Sequence, residues 1–397
     1  MATAARRLVP FHLRPPGARP LAAVAAAPHS RKRDAVSCKS TGKTRAKNKA
    51  KDTTMWRPQR RELEEHLKRR TRSAGAFDPG LYRRHSHSHH VPVLLGEVLA
   101  AFRRPLPLRS FVDCTLGAAG HSLAMMEAHP EMELHVGMDV DPSALAIGQR
   151  HIEAFLVSRA TGEGGEDALQ GTLRAYTHVK NFKYIKHVVG GVDESLADGS
   201  SGVDGILIDL GMSSMQVNRS DRGFSVLNDG PLDMRMDPKA TLTAEDILNS
   251  WPELEVGRIL RDYGEESNWQ SLQRRIVKER KTGGLHSTGE LVKLIQRTCT
   301  ISGGRQGWIK TATRVFQALR IAVNDELQTL EDALHSCFDC LAPDGRLAVI
   351  SFHSLEDRIV KQTFLELIRG DEAEDDEEDL KLNQRCRSAK LRVIQKA

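Results

Sequence analysis

Phe111-Val112-Asp113-Cys114-Thr115-Leu116-Gly117-Ala118-Ala119-Gly120-His121 runs an apolar strand pattern, residues 110–116, into a turn of small residues. A helix pattern follows at 122–128, then a second short strand at 134–140 that contains Asp139, then a helix at 142–155. Pro142 stands in the first turn of that last helix, where a missing N–H costs nothing. Strand, glycine turn, helix, strand, acid, helix is the βαβ unit of a doubly wound α/β sheet. Small residues in the first turn let backbone N–H groups approach a ligand that a side chain would obstruct. Asp139 follows Gly120 by 19 residues, about where nucleoside-binding sheets place an acid on the ribose hydroxyls. The pair points to an adenosine-type cofactor, a dinucleotide or S-adenosylmethionine. The dinucleotide pattern G-x-G-x-x-G lacks its third glycine here.

Working outward, strands are expected at 173–179 and 205–209, with the Gly- and acid-rich segment 157–171 as a surface loop. Strand texture then vanishes for nearly a hundred residues. Helices are expected at 244–250, 253–263, 269–280 and 289–298, the last opened by Ser287 and Glu290 as a capping box. An all-helical subdomain at 217–311, inserted into an α/β domain spanning 85–216 and 312–397, is the economical reading. Phe316, Leu319, Val323, Leu327, Leu330, Leu334 and Phe338 step by three or four and predict one long amphipathic helix. Pro343-Asp344-Gly345 ends it, and a buried strand at 346–352, a helix at 355–368 and an edge strand at 390–395 follow.

The chain has 397 residues and a formal charge of +6, unevenly distributed. Residues 1–51 hold 13 Lys or Arg and one acid, and eight acids sit at 371–379. Apart from these two segments the chain is close to neutral. A basic end on a near-neutral body reads as an address or an arm. Arg6, Arg7, Arg14 and Arg19 with no acid among the first 30 residues match a mitochondrial transit peptide, which places the protein in the matrix. The polybasic 31–33 and 39–51 are the features of the rival nuclear address. Residues 1–84 are thus expected to be transit peptide and linker. No run reaches the roughly 18 apolar residues of a membrane span, so no membrane partner is expected.

Cys337-x-x-Cys340 falls in an apolar helical pattern with no second pair, so two buried thiols are expected rather than a zinc site. The His85, His87, His89 and His90 alternation with serine suits a polar linker. In Ile206-Leu207-Ile208-Asp209-Leu210-Gly211-Met212-Ser213-Ser214-Met215-Gln216 an apolar strand delivers Asp209 to the carboxyl end of the sheet. In methyl transfer the attacking amine gains positive charge as the sulfonium loses it, so a carboxylate beside the amine lowers the barrier. Asp209 is the candidate for that position. Ser351, His353, Ser354, Glu356 and Asp357 lack the G-x-S-x-G elbow of a hydrolase and are expected to position a nucleotide.

His90-Val91-Pro92-Val93-Leu94-Leu95, Gly120-His121-Ser122, Asp209-Leu210-Gly211, Arg222-Gly223-Phe224-Ser225, residues 229–238 (DGPLDMRMDP), 351–358 (SFHSLEDR) and 387–392 (RSAKLR) together carry a resemblance. From about His90 to Val393 the chain resembles the MraW family of bacterial small-subunit ribosomal RNA cytosine methyltransferases, and with its basic leader a mitochondrial member of it. The resemblance implies a class I S-adenosylmethionine-dependent methyltransferase fold with a helical insertion. It also implies methylation of a cytidine amine in small-subunit ribosomal RNA, within an assembling subunit. Carried over by motif, Ala119, Gly120 and His121 hold the cofactor at the turn, Asp139 its ribose and Phe182 its adenine. Asp209 and Gln216 stand at the methionine end. His90, Ser213, Ser214, Asp233, Arg235, His353, Ser354 and Arg358 fall on the signatures and are expected on the substrate side. The chemistry needs no metal.

Two departures stand out. Ala119 occupies a position where the family usually has glycine, which requires its backbone angles to lie in an allowed region. The acid-Pro-Pro-aromatic pattern of amino-methyltransferases is absent, since Leu210-Gly211 follows Asp209, so the target base must meet another flank. A non-catalytic ribosome-assembly factor would show defective cofactor motifs. A nicotinamide oxidoreductase would show a hydride-handling His or Tyr-Lys pair. The chain has the motifs and lacks the pair. Arg274, Arg275, Lys278, Arg280 and Lys281 near Trp269 make a further candidate RNA face.

Overall fold

The computed structural model describes residues 78–86, 91–161, 173–193, 196, 201–299, 304–369 and 389–397. The basic leader, His87, His89, His90, the segment 162–172 and the acidic tract 371–379 lie outside the described residues.

Six strands form one sheet: β1 (Ser110–Asp113), β2 (Leu134–Asp139), β3 (Arg174–Val179), β4 (Val203–Asp209), β5 (Leu341–Ser351) and β6 (Lys390–Gln395). Their order is β3-β2-β1-β4-β5-β6, parallel throughout except for β6 against β5. The chain moves outward from β1 to β3 and then returns to pair β4 on the other side of β1. That reversal opens a crevice above the carboxyl ends of β1 and β4, where open α/β sheets bind their ligands.

Strand side chains alternate between two cores. Phe111, Leu207, Ala348 and Ile350 point into one, Val112, Ile206, Ile208 and Val349 into the other. Both faces are covered, so the strands read as near-continuous apolar runs. The glycine turn opens α1 (Gly120–Ala128), and α2 (Pro142–Thr161) extends past the expected end at Phe155. Cys114, Cys337 and Cys340 are free buried thiols, as their apolar surroundings predict.

A third core, from Phe224 to Val323, belongs to the helices between β4 and β5. Helix α3 (Ala244–Ser250) starts on a reciprocal cap, Thr243 with Asp246. The expected helix at 253–263 divides into Glu253–Arg258 and a π-helical turn, Ile259–Tyr263. Helix α4 (Thr288–Cys299) opens on Ser287 and Glu290, each accepting the other's backbone N–H at 3.2 Å. No helix among the described residues is long and apolar enough to cross a membrane.

The long helix expected across 316–338 is two helices, α5 (Gly304–Asn324) and α6 (Glu326–Asp339), divided at Asp325 with φ 49°. The stripe is genuine but serves two cores. Phe316, Leu319 and Val323 enter the helical core, Leu330 and Leu334 the sheet core. Asn324 fixes the break, donating to Met234 O at 2.8 Å and accepting from Met236 N at 2.7 Å. A second correction concerns β5, which begins at Leu341 rather than after Gly345. Its register against β4 jumps from Val203–Leu341 to Gly205–Arg346, so 342–345 bulge out, with Asp344 at φ 61°. Helix α7 (Ser354–Arg369) follows β5.

Candidate functional site

A cavity of about 920 Å³ lies at the carboxyl edge of the sheet, within the size range of cofactor sites. Five successive strand ends build one wall: Gly117, Gly120 and His121 after β1, Asp139 at β2, Asn181 and Phe182 after β3, Asp209 to Ser213 at β4, and Phe352 with His353 after β5. Phe224, Met234, Met236, Phe316 and Arg320 face it from the helical core.

Backbone geometry shapes the sheet-side wall. Gly117, at φ 51°, donates its N–H to Asp139 Oδ2 at 2.9 Å, and Asp141 N donates to Asp139 Oδ1 at 2.9 Å. A Cβ at Gly120 would meet Pro92 Cγ at 2.7 Å, so the turn admits no side chain there. Ala119 has φ 65° and ψ 24°, in the small left-handed region, at a cost of about 1–2 kcal/mol. It is fully buried and shapes the turn without lining the cavity.

Asp209 takes its position from two strands. Its N–H donates to Thr115 Oγ1 at 2.7 Å, which ties the end of β4 to the loop after β1. Its Oδ2 stands 3.7 Å from His121 Nδ1, and His121 Nε2 is 2.9 Å from Val93 O. Behind this wall Ser122 Oγ donates to Asp113 Oδ2 at 2.6 Å and lies 3.0 Å from His135 Nε2. Burial pushes Asp113 up to about 6, against the hydrogen bonds from Ser122 and Thr115. Burial likewise pushes Asp139 up to about 6, against the two backbone donors.

Gln216 does two jobs. It closes a capping box with Ser213, accepting Ser213 N–H at 3.0 Å, and its Nε2 is 3.3 Å from Asp141 Oδ2. Asp141 in turn pairs with Arg222 Nη1 at 2.7 Å. Burial opposes ionisation of Asp141, but Arg222 outweighs it and holds the carboxyl below its ordinary range. Arg222 Nη2 also donates to the carbonyls of Arg235 (2.9 Å) and Met236 (3.0 Å), joining sheet edge to helical side.

Of the residues expected from sequence, Gly120, His121, Asp139, Phe182, Asp209, Ser213, Gln216 and His353 meet at the cavity. Ser214 contributes the first backbone turn of the short helix Ser214–Asn218, and His90 lies outside the described residues. Asp233 and Arg235 are engaged with each other, Arg235 donating to both carboxylate oxygens at 2.9 and 2.6 Å. They do not line the cavity; their neighbours Met234, whose backbone is left-handed at φ 61°, and Met236 do. Ser354 and Arg358 also stand away from it, at 2.6 and 3.6 Å from Glu265. On the surface Arg274, Arg275, Lys278 and Lys281 are exposed, while Arg280 folds back to donate to Leu248 O at 2.7 Å.

Arg320 and Glu326, which the sequence reading missed, join His353 and Glu356 in a buried polar cluster. Arg320, 7% exposed, donates through Nε and Nη2 to Glu326 at 2.8 and 2.7 Å, with Glu356 Oε1 3.7 Å away. Glu356 accepts the Phe352 N–H at 2.7 Å and lies 2.8 Å from His353 Nε2. Burial opposes its charge, but His353 and Arg320 outweigh burial and hold Glu356 below its ordinary range. Glu326, His353 and Glu356 bring ligand atoms within 4.8 Å of one another. The Arg320 guanidinium already provides positive charge among them. The available signal was an arginine between Leu319 and Val323 on an otherwise apolar stripe.

Residues 87–374 match the MraW methylase family. A protein of Heliobacterium modesticaldum named ribosomal RNA small subunit methyltransferase H is 42% identical over 332 residues, covering 78% of this chain and 98% of that one. Proteins of the same name from Heliobacterium mobile and a Paenibacillus species are 43% and 41% identical over 331 residues, covering 78% and 77% of this chain and 99% of each relative.

Proposed function

We propose that this chain, which belongs to the MraW methylase family, methylates the exocyclic amine of a cytidine in mitochondrial small-subunit ribosomal RNA, giving N(4)-methylcytidine. It is an S-adenosylmethionine-dependent methyltransferase. The observation that carries the reading is Asp209, delivered by β4 into a cavity between the sheet edge and the helical core.

When bound, S-adenosylmethionine supplies a methyl group on an electrophilic sulfonium. The sheet-side wall fits its adenosyl part. Asp139 offers lone pairs to two ribose hydroxyls beyond the two backbone donors it already accepts, and half-buried Phe182 offers an apolar flank to adenine. Gly117, Gly120 and His121 of the turn line this wall, and Gln216 lines the same cavity.

The target cytidine must be unpaired or flipped, because its amine is engaged in a duplex. Its lone pair is conjugated with the ring, so the residues must orient the amine in line with the methyl. Asp209 accepts an amino proton's hydrogen bond as positive charge builds on nitrogen, an interaction stronger in the transition state than before it. Ser213 and His353 line the same cavity, which supports a substrate-side role for both. The first 30 residues, arginine-bearing and without an acid, support import into the mitochondrial matrix, and an assembling small subunit offers the RNA while its bases are accessible.

Nucleoside mass spectrometry of mitochondrial small-subunit ribosomal RNA, from cells with and without the protein, tests substrate and product together. Selective loss of N(4)-methylcytidine is the expected result; unchanged modification overturns the reading. Deleting residues 1–51 should abolish import, and continued import refutes the address.

A further inference from the structure

Arg320 has three nitrogens on its guanidinium, and only two of them are accounted for by the buried cluster. Nε and Nη2 both donate to Glu326. Among the described residues Nη1 has no hydrogen-bond acceptor, although the side chain is 7% exposed. Nη1 is not sealed away from the cavity that Arg320 lines, so its N–H groups remain available to a bound partner. The surroundings say where that partner sits. A Cβ built on Gly211, two residues beyond Asp209, would lie 3.8 Å from Nη1 and 3.5 Å from Phe352 Cδ2. Gly211, Phe352, Arg320 and Asp209 all line the one cavity.

We propose that Arg320 Nη1 recognises the acceptor edge of the target base, donating to N3 and O2 of cytosine while Asp209 meets the amine on the neighbouring carbon. The inference rests on the cytidine reading above and deepens it. On cytosine the exocyclic amine and the N3 and O2 acceptors lie along one edge, so an acid and a fixed donor lining one cavity match it in kind. Adenine also carries an amine beside a ring acceptor, but it has C–H where cytosine has O2. The ion pair with Glu326 makes the donor rigid. It holds the guanidinium plane by two parallel hydrogen bonds and leaves Nη1 to face the cavity without further ordering of the side chain. Glu356, 3.7 Å away, and His353 brace the same cluster from the end of β5. Phe352, beside both Gly211 and Nη1, supplies the apolar flank that the missing Pro-Pro-aromatic motif leaves open.

The test pairs a base analogue with an arginine variant in the full chain. The substrate is a small-subunit RNA fragment whose target nucleotide is cytidine or 3-deazacytidine, which keeps the amine and O2 but has C–H in place of N3. With the natural enzyme the analogue should lower kcat/KM by about 10- to 100-fold, the loss of one hydrogen bond to a charged group. With Arg320→Lys, which keeps a charge against Glu326 but loses the second donor arm, the analogue penalty should shrink to threefold or less, with the KM for S-adenosylmethionine unchanged. If Arg320→Lys does not fold, the double variant Arg320→Met/Glu326→Leu removes both charges together and leaves neither one buried alone.

Equal analogue penalties in the natural enzyme and the variant would overturn the proposal. So would a penalty below threefold in the natural enzyme, or a variant whose only change is a raised KM for S-adenosylmethionine, which would assign Nη1 to the donor. If the natural enzyme methylates no cytidine at all, the cytidine reading itself fails; normal cytidine methylation without an analogue penalty sinks the Arg320 inference alone.

Discussion

The two walls of the cavity are made in different ways. The sheet-side wall is largely backbone: Gly117 N–H on Asp139, Asp209 N–H on Thr115, a glycine at 120 because a Cβ would strike Pro92. The helical wall is side chains drawn from distant segments, Met234 and Met236 from a loop, Phe316 and Arg320 from α5. A ligand that is the same molecule at every turnover is matched by a turn at fixed offsets from two strands. A base presented by a large RNA is met by side chains whose positions depend on how the helices pack. Arg222 bridges the two, reaching Asp141 on one side and the carbonyls of 235 and 236 on the other.

The division can be broken first at Asp209. Asp209→Ala should lower kcat by about 10³-fold while the melting temperature stays within a few degrees. A variant with the natural rate would remove Asp209 from the mechanism. Next comes the bridge: Arg222→Ala leaves Asp141, 3% exposed, as a buried carboxylate without its cation, and should cost about 3 kcal/mol in denaturant unfolding. It should also raise KM for donor and RNA together; a loss below about 1 kcal/mol, the range of surface pairs, would mean that the walls stand independently.

Asp139→Asn sharpens the comparison, because its effect should stay on one wall. The donor's Kd should rise about 10- to 100-fold, the loss of one or two charge-assisted hydrogen bonds, with the KM for RNA unchanged. In the natural enzyme donor affinity should rise as pH climbs through about 6, since only the ionised Asp139 accepts both ribose hydroxyls, and Asp139→Asn should flatten that profile. The sign for stability is opposite. Burial raises Asp139 in the folded state, so without donor the protein should lose stability as pH climbs from its ordinary carboxylate range through about 6, where the unfolded chain has already released the proton. Calorimetric titration at pH 5 and pH 7.5 reads the first effect, thermal melts the second. The smallest effect is at the turn. Ala119→Gly relieves a left-handed alanine at about 1–2 kcal/mol, offset by the glycine's extra unfolded-state freedom of about 0.5–1 kcal/mol, for a net gain of about 0.5 kcal/mol. A melting temperature that falls instead would show that the buried Ala119 methyl packs for more than its backbone costs.

The legibility of the sequence follows the same line. The strand ends, the turn, Asp139 and Asp209 could be read because each lies within a few residues of the pattern that announces it. The signature 229–238 located the right loop but misplaced its contacts, since Asp233 and Arg235 tie the loop while Met234 and Met236 face the cavity. Ser354 and Arg358, four residues apart, likewise turn to Glu265 on a different face from the one that His353 and Glu356 share. Helical periodicity across 316–338 survived a break in the helix, because the stripe continues on both sides of Asp325 while changing cores.

By itself, then, the sequence determined the α/β order, the glycine turn and the acids at two strand ends, because alternation of apolar residues and the conformational demands of a tight turn are local properties. Only the tertiary structure decided that α5 and α6 part at Asp325 and that Arg320, Glu326, His353 and Glu356 share one buried cluster. A charge is tolerated on an apolar stripe only when packing brings its partners from elsewhere in the chain, and no spacing within the stripe encodes which partners those are.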